Sequence, residues 1–476
     1  MQAIHDSFIY SLYCMLCRWC ARQWENSAVV RWLTGQKPMA GGMLCRVGPR
    51  LRQIWIRWCQ VLHLDRLLQG SIFLHPAAFA GAAVVLAPLC PTMVVLALVC
   101  ASFFSLILRL GVEEAAVGGT SPLHGYVLLY AAVYLYATLT STTVSGSLFP
   151  GLLTILFVLF FLVLTGSGLE EKGLRRLLWA MVAAGVLISC YGFYQRLFPA
   201  RFRSVWTDED MFSSIVFRVY STLENPNVLG EYFLLVIPLG AAVALTAGSW
   251  RERIVGLGAC GVMVVCLILT YSRGCYLGLL FAAAVFLVLL DRRFLIVGIV
   301  ALALSPLYLP ESVLTRFTSI GNMGDTSTSY RVYIWMGTLA MLKDYWLCGV
   351  GPGTDAYNVV YPEYAYNAIT APHSHNLYLQ ILCDTGICGL LVFLLLLVAY
   401  YRMMFTAIRR ERDRTARVFQ IAAVSAVTGF LVQSMTDFTF YNYRVLLLFW
   451  SVLALSVLFT RMGRTERTAT PPEVAL

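Results

Sequence analysis

The chain has 476 residues and a formal net charge of +10; 59% of its residues are hydrophobic, 13% are charged, and the mean hydropathy is +0.73. Apolar stretches of membrane-spanning length recur from about residue 71 to residue 460, which predicts a polytopic helical membrane protein and not a set of soluble domains. Fourteen cysteines are scattered along the chain, eight of them in or beside apolar stretches, and this distribution excludes a secreted disulfide framework.

The first 70 residues form a segment of their own, which has the pattern of neither a spanning helix nor a cleavable signal peptide. Arginines and tryptophans are interleaved from residue 18 to residue 58, as is typical of segments that lie on an anionic membrane surface. Cys14, Cys17 and Cys20 are spaced like a metal motif, but no well-spaced fourth ligand follows. A helix face with small apolar residues is therefore the favoured interpretation.

Twelve membrane-spanning helices are predicted within an all-α domain that covers residues 71–460. They cover residues 71–89, 92–110, 124–141, 147–165, 177–195, 228–247, 254–271, 275–290, 294–309, 380–400, 417–435 and 444–460. With twelve spans, the connections that are rich in basic residues lie on the same side of the membrane as the N-terminus. The positive-inside rule then predicts a cytoplasmic N-terminus and a cytoplasmic tail at 461–476. Two long connections, at about 196–227 and at 310–379 between helices nine and ten, are predicted to face outward.

Among the arginines in connections predicted to face outward, where arginine is expected to be scarce, three are candidate ligands. They are Arg218, Arg273 and Arg331. Each alone could cap a helix, reach a lipid phosphate or pair with a carboxylate. Because they share a predicted face with two histidines, a common anionic ligand is favoured. Arginine stays charged and binds phosphate oxygens through paired hydrogen bonds, so a pyrophosphate leaving group is a suitable ligand.

Two asparagines follow the first of these arginines, at the entrance to the sixth predicted span. Asn225 precedes a proline, so its backbone is predicted to be extended, and Asn227 is predicted to cap the helix. A well-formed turn explains both asparagines but does not explain Arg218. Both remain candidate substrate-binding residues.

The long connection at 310–379 carries an arginine followed by a glycine-rich turn. Arg331 is predicted to open an amphipathic helix with an apolar stripe through Val332, Trp335, Leu339 and Leu342. In the turn, Gly351 and Gly353 are candidate substrate-binding residues, since glycines let backbone amides approach a phosphate. Taken alone, the motif is explained more simply by a plain loop.

The quartet His373-Ser374-His375-Asn376 directly precedes the tenth predicted span. A neutral imidazole is suited to act as general base on a hydroxyl near neutral pH, which makes His375 a candidate catalytic residue and its neighbours His373 and Asn376 candidate substrate contacts. A His-x-His pair is also a metal-ligand spacing, but no cysteine or clear carboxylate set completes it, so no metal is predicted. Asp437, in a later outward turn, could anchor a histidine or an arginine, or lie on the surface.

These motifs, in this order, resemble the O-antigen ligase and polymerase-related superfamily of membrane glycosyltransferases. The resemblance extends from about residue 216 to residue 397. The matching elements are Arg218 with Ser-Thr-Leu-Glu-Asn-Pro-Asn227, Ser272-Arg273-Gly274, Arg331 with Trp335, Lys343-Asp344 with Gly349-Val-Gly-Pro-Gly353, His375-Asn376, and Asp384 with Gly386 and Gly389.

The resemblance implies an inverting, metal-independent enzyme without cofactors in the bacterial inner membrane. Such an enzyme moves a glycan from an undecaprenyl-pyrophosphate carrier to a hydroxyl acceptor at the outer face. It also implies that Arg218, Arg273 and Arg331 hold the diphosphate and that His375 activates the acceptor. That acceptor, in different members, is a glycan, a lipid or a protein, so ligase and polymerase both stay open.

Two other classes stay open, a bicarbonate-type anion transporter and a non-catalytic assembly component. Because a transporter needs ionisable residues along a path through the membrane, the clustering of cations at one face favours the enzyme. Membrane lipids are predicted partners, and nucleic acid is not.

Overall fold

The computed structural model describes residues 44–68, 70–113, 121–202, 217–307, 309–319 and 326–462, together with Met15 and Gly321. Within these ranges the chain forms helices joined by turns, with no β-strand, which confirms the all-α prediction. The α-helices are α1 (Leu44–Val61), α2 (Leu64–Leu67), α3 (Pro76–Leu86), α4 (Thr92–Val112), α5 (Leu123–Leu139), α6 (Val144–Gly166), α7 (Glu171–Leu197), α8 (Pro226–Leu245), α9 (Trp250–Ile268), α10 (Arg273–Asp291), α11 (Arg293–Ala303), α12 (Glu311–Thr318), α13 (Thr326–Tyr345), α14 (Thr354–Val360), α15 (Leu377–Arg410), α16 (Arg414–Gln433) and α17 (Tyr443–Phe459).

Seven helices in the described part of the chain are long and apolar enough to cross a membrane: α4, α6, α7, α8, α10, α15 and α16. Three more apolar helices, α3, α5 and α17, are shorter. The segment Arg293–Leu307 is bent by 117° relative to α12. Each predicted span coincides with a helix, and the polytopic membrane protein is confirmed. The number twelve, and with it the orientation of both termini, stays a prediction.

The centre of the bundle is formed by α8, α16 and α17, which pack against one another and against α10 and α6. Residues Val228–Gly240 of α8 and Arg444–Phe459 of α17 are buried without a break. Helices that are apolar all round belong in a core, so the sequence pattern accounts for this placement. The ends of these central helices carry the residues that form the candidate site.

The N-terminal helix α1 packs along α4. The Trp55 indole N–H donates to the Ile107 carbonyl at 2.8 Å, and the Arg52 guanidinium donates to the Glu113 carbonyl at 3.1 Å. Part of the predicted basic segment is thus attached to the bundle. Cys14, Cys17 and Cys20, the sequence from residue 16 to 43, and the tail from residue 463 lie outside the described residues.

The chain between α12 and α15 forms a helical cap, residues 326–376, with a small core of its own. The prediction for its first helix is wrong in two respects. Helix α13 begins at Thr326, so Arg331 lies in its second turn. Its buried face contains Ile334 and Met341 together with Leu342 of the predicted stripe, whereas Leu339 of that stripe is exposed. The cap buries this face against its own turns, which a single-helix pattern does not reveal.

A break in α15 joins the cap to the bundle. Gly386 has φ +67°, and a Cβ atom there would lie 2.1 Å from the Leu347 carbonyl oxygen, so only glycine fits. On either side of the break, the Val350 N–H donates to the Cys383 carbonyl at 2.6 Å and the Ile387 N–H donates to the Trp346 carbonyl at 2.8 Å. These hydrogen bonds fix the cap relative to the helix that follows the two histidines.

Candidate active site

Asp437, in the turn between α16 and α17, lies at the centre of the residues selected from sequence. It is buried, with 8% of its surface exposed. Its Oδ1 lies 3.1 Å from His375 Nδ1, its Oδ2 accepts a hydrogen bond from the Asn227 side chain at 2.8 Å, and the same Oδ2 lies 3.8 Å from Arg331 Nη2. One carboxylate therefore connects the starts of α8 and α15 with α13, and it anchors both a histidine and an arginine.

The protonation state of this pair follows from its surroundings. Burial by itself would raise the pKa of the Asp437 carboxyl, but the hydrogen bond from His375 and the charges of His375 and Arg331 hold that pKa well below its usual range. An ionised carboxylate only accepts hydrogen bonds, so His375 donates its Nδ1–H to Asp437. In the neutral ring, Nε2 is then left with a free lone pair that can take up a proton.

Four arginines converge beside Asp437 on a pocket with about 280 Å³ of empty space, which we call the arginine pocket. They are Arg218 before α8, Arg273 at the start of α10, Arg316 on α12 and Arg331 on α13. The rest of its wall is formed by Asn227, Tyr271, Ser272, Gly274, Ser327, Gln433 and Thr436. So much positive charge in a small polar pocket favours an anionic ligand.

Each of these arginines is held in place by the protein. Backbone carbonyls accept from three of them: Thr270 from Arg218 Nε at 2.8 Å, Ser319 from Arg273 Nη1 at 3.1 Å, and Tyr271 from Arg316 Nε at 3.2 Å. Burial, and then the charges of Arg316 and Arg331, lowers the pKa of Arg218 to about 9, so its guanidinium is still protonated at neutral pH. The Nε of Arg331 is buried and has no hydrogen-bond partner among the described residues.

Sequence reasoning selected three of the four arginines and missed Arg316. The same criterion, an arginine in a connection predicted to face outward, applies to this residue as well. Its position on the short helix α12, 7% exposed and with its Nε on the Tyr271 carbonyl, is what assigns it to the pocket.

His373 lies beside His375 in a different environment. The ring centroids are 4.2 Å apart, and the His373 ring packs at 4.8 Å from Tyr441 and 5.5 Å from Phe438. Its Nδ1 accepts the backbone N–H of His375 at 3.2 Å, which supports the left-handed φ of 49° at His375. Burial, followed by the charge of His375, lowers the pKa of His373 to about 3. His373 is therefore neutral near pH 7 and holds the backbone of its neighbour.

The environment of His373 predicts how stability depends on pH. The unfolded chain takes up a proton near pH 6.5, whereas folded His373 does not until about pH 3. The unfolded state thus binds more protons between these values, and the free energy of unfolding falls as the pH falls. We expect this residue to contribute a loss of about 2 kcal/mol between pH 6.5 and 4.5.

Unfolding in detergent, followed for wild type and His373→Asn across this range, measures that contribution. The asparagine oxygen can still accept the His375 amide but does not titrate. The difference between the two proteins should shrink as the pH falls, whereas a constant difference would contradict the assignment. Asp437 does not contribute in this window, because its lowered pKa removes stability only below its usual value of 3.8.

The asparagines are arranged differently from the prediction. Asn225, and not Asn227, caps α8, and its side chain accepts the Asn227 amide at 2.8 Å. The Asn227 side chain is instead placed between Arg218 Nη2, at 3.1 Å, and Asp437. Asn376 caps α15 through the amides of the next turn and donates to the Met435 carbonyl at 2.8 Å. The prediction of a cap at Asn227 is wrong because the proline at 226 already belongs to the first turn, where its missing N–H needs no partner.

The two candidate glycines lie away from the arginine pocket. Gly351 and Gly353 have φ of +106° and +102°, and Cβ atoms there would meet Ser141 and Pro150, respectively. These glycines let the turn pack closely against α6 and the residues before it. Neither lines the arginine pocket, so the structure does not bring them to the four arginines.

Residues 258–394 match the family model described as O-antigen ligase. This match, over less than a third of the chain, supports the resemblance to the O-antigen ligase-related superfamily. The matched segment contains Arg273, Arg316, Arg331 and both histidines, and at a coarse level the family suggests an enzyme of glycosyl transfer. Arg218 and Asp437 lie outside the matched segment and reach the site through the fold. A comparison with curated proteins finds no match.

His373, His375 and Asp437 also form a candidate metal site by their donor atoms, which all lie within 4.8 Å of one another. Both oxygens of Asp437 already have hydrogen-bond partners, and Arg331 Nη2 lies 3.8 Å from one of them. A divalent cation would have to displace His375 Nδ1–H and would be repelled by Arg331. This arrangement of donors fits a proton-accepting histidine better than a metal.

Proposed function

We propose that this protein is an inverting, metal-independent glycosyltransferase that moves a glycan from an undecaprenyl-pyrophosphate carrier to a hydroxyl-bearing acceptor. The observation that carries the proposal is the double role of Asp437, which contacts both His375 and Arg331. A candidate general base and a candidate phosphate-binding residue are thus held by one side chain. A hydroxyl and a pyrophosphate can therefore be bound in adjacent positions.

In the proposed reaction, Nε2 of His375 takes the proton from the acceptor hydroxyl as its oxygen forms a bond to the anomeric carbon. The bond from that carbon to the pyrophosphate oxygen breaks, and its electron pair leaves with the lipid pyrophosphate. Attack from the face opposite the leaving group inverts the configuration. The carboxylate of Asp437 stabilises the imidazolium that forms, as aspartate does in catalytic triads.

The arginine pocket is proposed to receive the pyrophosphate. Negative charge grows on the leaving oxygen as the bond breaks, and guanidinium groups already held in position stabilise it without further reorganisation. Arg218, Arg273 and Arg331 are the proposed ligands, and Arg316 joins them as a fourth. The free donor at Arg331 Nε is consistent with a ligand that brings acceptor oxygens.

The proposal places this chemistry at the outer face of the inner membrane, with both termini cytoplasmic. The course of α16 supports it. This 20-residue helix begins at Arg414, in the basic connection formed by residues 409–417, and ends at Gln433 in the wall of the arginine pocket. A helix of that length spans about 30 Å, so the basic connection and the pocket lie at opposite ends of the bundle.

A polymerase would use the same residues with a growing polysaccharide as acceptor, and it remains the alternative within the superfamily. The transporter alternative is less well supported. Such a path needs ionisable residues within the spans, and Glu231, which lies inside one predicted span, is buried in the second turn of α8. Its carboxylate accepts from Gln433 at 3.4 Å, so it belongs to the same end as the arginine pocket.

An assay with purified protein in detergent tests the proposal. The donor is an undecaprenyl-pyrophosphate-linked glycan, the acceptors are lipid A core, polysaccharide, protein and cell-wall polymer, and released lipid pyrophosphate is measured. We expect Arg331→Ala to lower the transfer rate by about 10²–10³-fold, since it removes charge stabilisation of the leaving group. Arg201→Ala, at an exposed arginine predicted to face the same side, should transfer at the wild-type rate.

Equal transfer rates for Arg331→Ala and wild type would contradict the proposal that the arginine pocket binds the pyrophosphate. Turnover should also survive EDTA; loss of activity that one divalent ion restores would assign His373, His375 and Asp437 to a metal. If no acceptor gives turnover while the carrier-linked glycan still binds, the non-catalytic assembly component becomes the better conclusion.

A further inference from the structure

A second cavity opens next to the two histidines, with about 910 Å³ of empty space, more than three times that of the arginine pocket. We call it the aromatic cleft. It lies between α5, α6, α15 and the turn before α17. Its wall includes Tyr134, Thr154, Asp384, Phe438, Tyr441 and Asn442. None of these residues has a part in the chemistry described above.

The aromatic cleft and the arginine pocket meet at one turn of the chain. Of three consecutive residues, Thr436 lines the arginine pocket, Asp437 holds His375, and Phe438 lines the cleft. The Phe438 N–H donates to Asp437 Oδ1 at 2.9 Å, and the His373 ring packs against Phe438 and Tyr441. A ligand in the cleft would thus lie across the Asp437 turn from the arginine pocket.

The wall of the cleft combines flat apolar faces with hydrogen-bonding groups. Tyr441 is 49% exposed, whereas Asp384 is 3% exposed and accepts from the Gln380 side chain at 2.8 Å and from the Tyr134 hydroxyl at 3.4 Å. Thr154 adds a hydroxyl from α6. A pyranose matches this set, because its C–H face packs on an aromatic ring while its hydroxyls need acceptors and donors around the rim. An acyl chain would bury the same polar groups against hydrocarbon, which is unfavourable.

We propose that the aromatic cleft binds a saccharide ring. This inference rests on the proposed function for its role in transfer, and it names a saccharide as the ligand across the Asp437 turn from the arginine pocket. The ring can belong to the acceptor or to the sugar that the carrier delivers. Both present the same chemistry to Tyr441 and Asp384, and kinetics separates them.

Binding is tested first, without any need for turnover. Full-length protein in detergent is mixed with free disaccharides of glucose, galactose and N-acetylglucosamine, and saturation-transfer difference NMR reports their contact with the protein. We expect Tyr441→Ala to weaken the affinity for the bound disaccharide by about 10-fold or more, since an aromatic anchor is lost. Tyr441→Phe should retain it, because the stacking ring remains.

Two further variants test whether an effect of Tyr441→Ala on binding comes from a change in the fold or in the position of the histidines. Thr154→Val removes a hydroxyl from the far wall at nearly constant volume and should weaken binding by about 3–10-fold. Tyr136→Ala is the matched control, because this tyrosine is 57% exposed on the same helix as Tyr134 but lies outside the cleft. Equal binding to wild type, Tyr441→Ala and Tyr136→Ala, or no disaccharide binding at all, would overturn the proposal.

Turnover then separates this inference from the proposed function. If wild type transfers glycan and Tyr441→Ala raises KM for the acceptor, the ring in the cleft belongs to the acceptor; a raised KM for the carrier-linked glycan assigns it to the donor. If Tyr441→Ala leaves KM unchanged for both the acceptor and the carrier-linked glycan, the proposed saccharide site is contradicted and the proposed transferase is not. If the protein binds disaccharide through Tyr441 but transfers no glycan, the saccharide site is supported and the proposed transferase activity is contradicted.

Discussion

Replacing His375 by alanine is expected to lower the rate of glycan transfer by about 10²–10⁴-fold, the usual contribution of one oriented general base. The structure gives the reason. Asp437 holds Nδ1 of this ring at 3.1 Å and leaves Nε2 to accept a proton. Binding of the carrier-linked glycan should persist, because the four arginines do not depend on the imidazole. Single-turnover measurements of transfer, with binding measured separately, would show a fall in the rate and little change in affinity.

His373→Ala is the matched comparison, because the two histidines are neighbours with rings 4.2 Å apart. His373 is buried and supports the His375 backbone, so its loss should slow transfer by less than the loss of His375. If His373→Ala were the more damaging change, the base would have to be reassigned to His373. If neither variant were slower than wild type, general-base catalysis by this pair would be ruled out.

Asp437→Asn is expected to slow transfer by about 10⁴-fold, as the same change does in a Ser-His-Asp triad. An amide can still meet Asn227, but it no longer carries the charge that stabilises imidazolium or pairs with Arg331. It can also donate to His375, which would reverse the tautomer and leave the wrong nitrogen to face the acceptor. This single isosteric substitution would therefore weaken both the proposed activation of the acceptor by His375 and the proposed binding of pyrophosphate by Arg331.

A purely structural role for Asp437 makes a different prediction. It would lower the melting temperature of the variant and leave the transfer rate of the folded fraction unchanged. Measuring both quantities in the same preparation distinguishes the two. Asp355→Asn, at an exposed aspartate on α14, is the control for the loss of a negative charge near the cap.

Hydropathy predicted the fold well because a bilayer leaves a chain few alternatives to apolar helices. Each predicted span has a helix. The count remained open because five predicted spans fall on helices outside the seven: α3 and α11 have 11 residues each, α5 and α17 have 17 each, and the 19-residue α9 carries three charged residues in its first turn. The face of α13 was predicted wrongly because Ile334 and Met341 pack into the cap itself, a partner that no periodicity identifies.

Site residues could be predicted where an arginine lies on the side of the membrane that is usually poor in arginine. They could not be predicted where their role depends on a tertiary contact. An arginine in an outward connection is visible from sequence, and Arg316 could have been found in that way. The hydrogen bond from Asn227 to Asp437 joins residues 210 positions apart, so no local sequence pattern predicts it. The caps at Asn225 and Asn376 show the reverse case, in which a motif next to the site has a local structural explanation.

The contacts of Asp437 also set the order in which this enzyme can become complete during synthesis. Residue 437 is synthesised after nearly all of the spans, and after its partners at positions 227, 331 and 375. A nascent chain that ends within α16 carries the arginines and both histidines but not the carboxylate that contacts Arg331 and His375. Domains and bundles fold from their N-terminal parts first as the ribosome delivers them. The active arrangement is therefore confined to chains whose synthesis is almost finished.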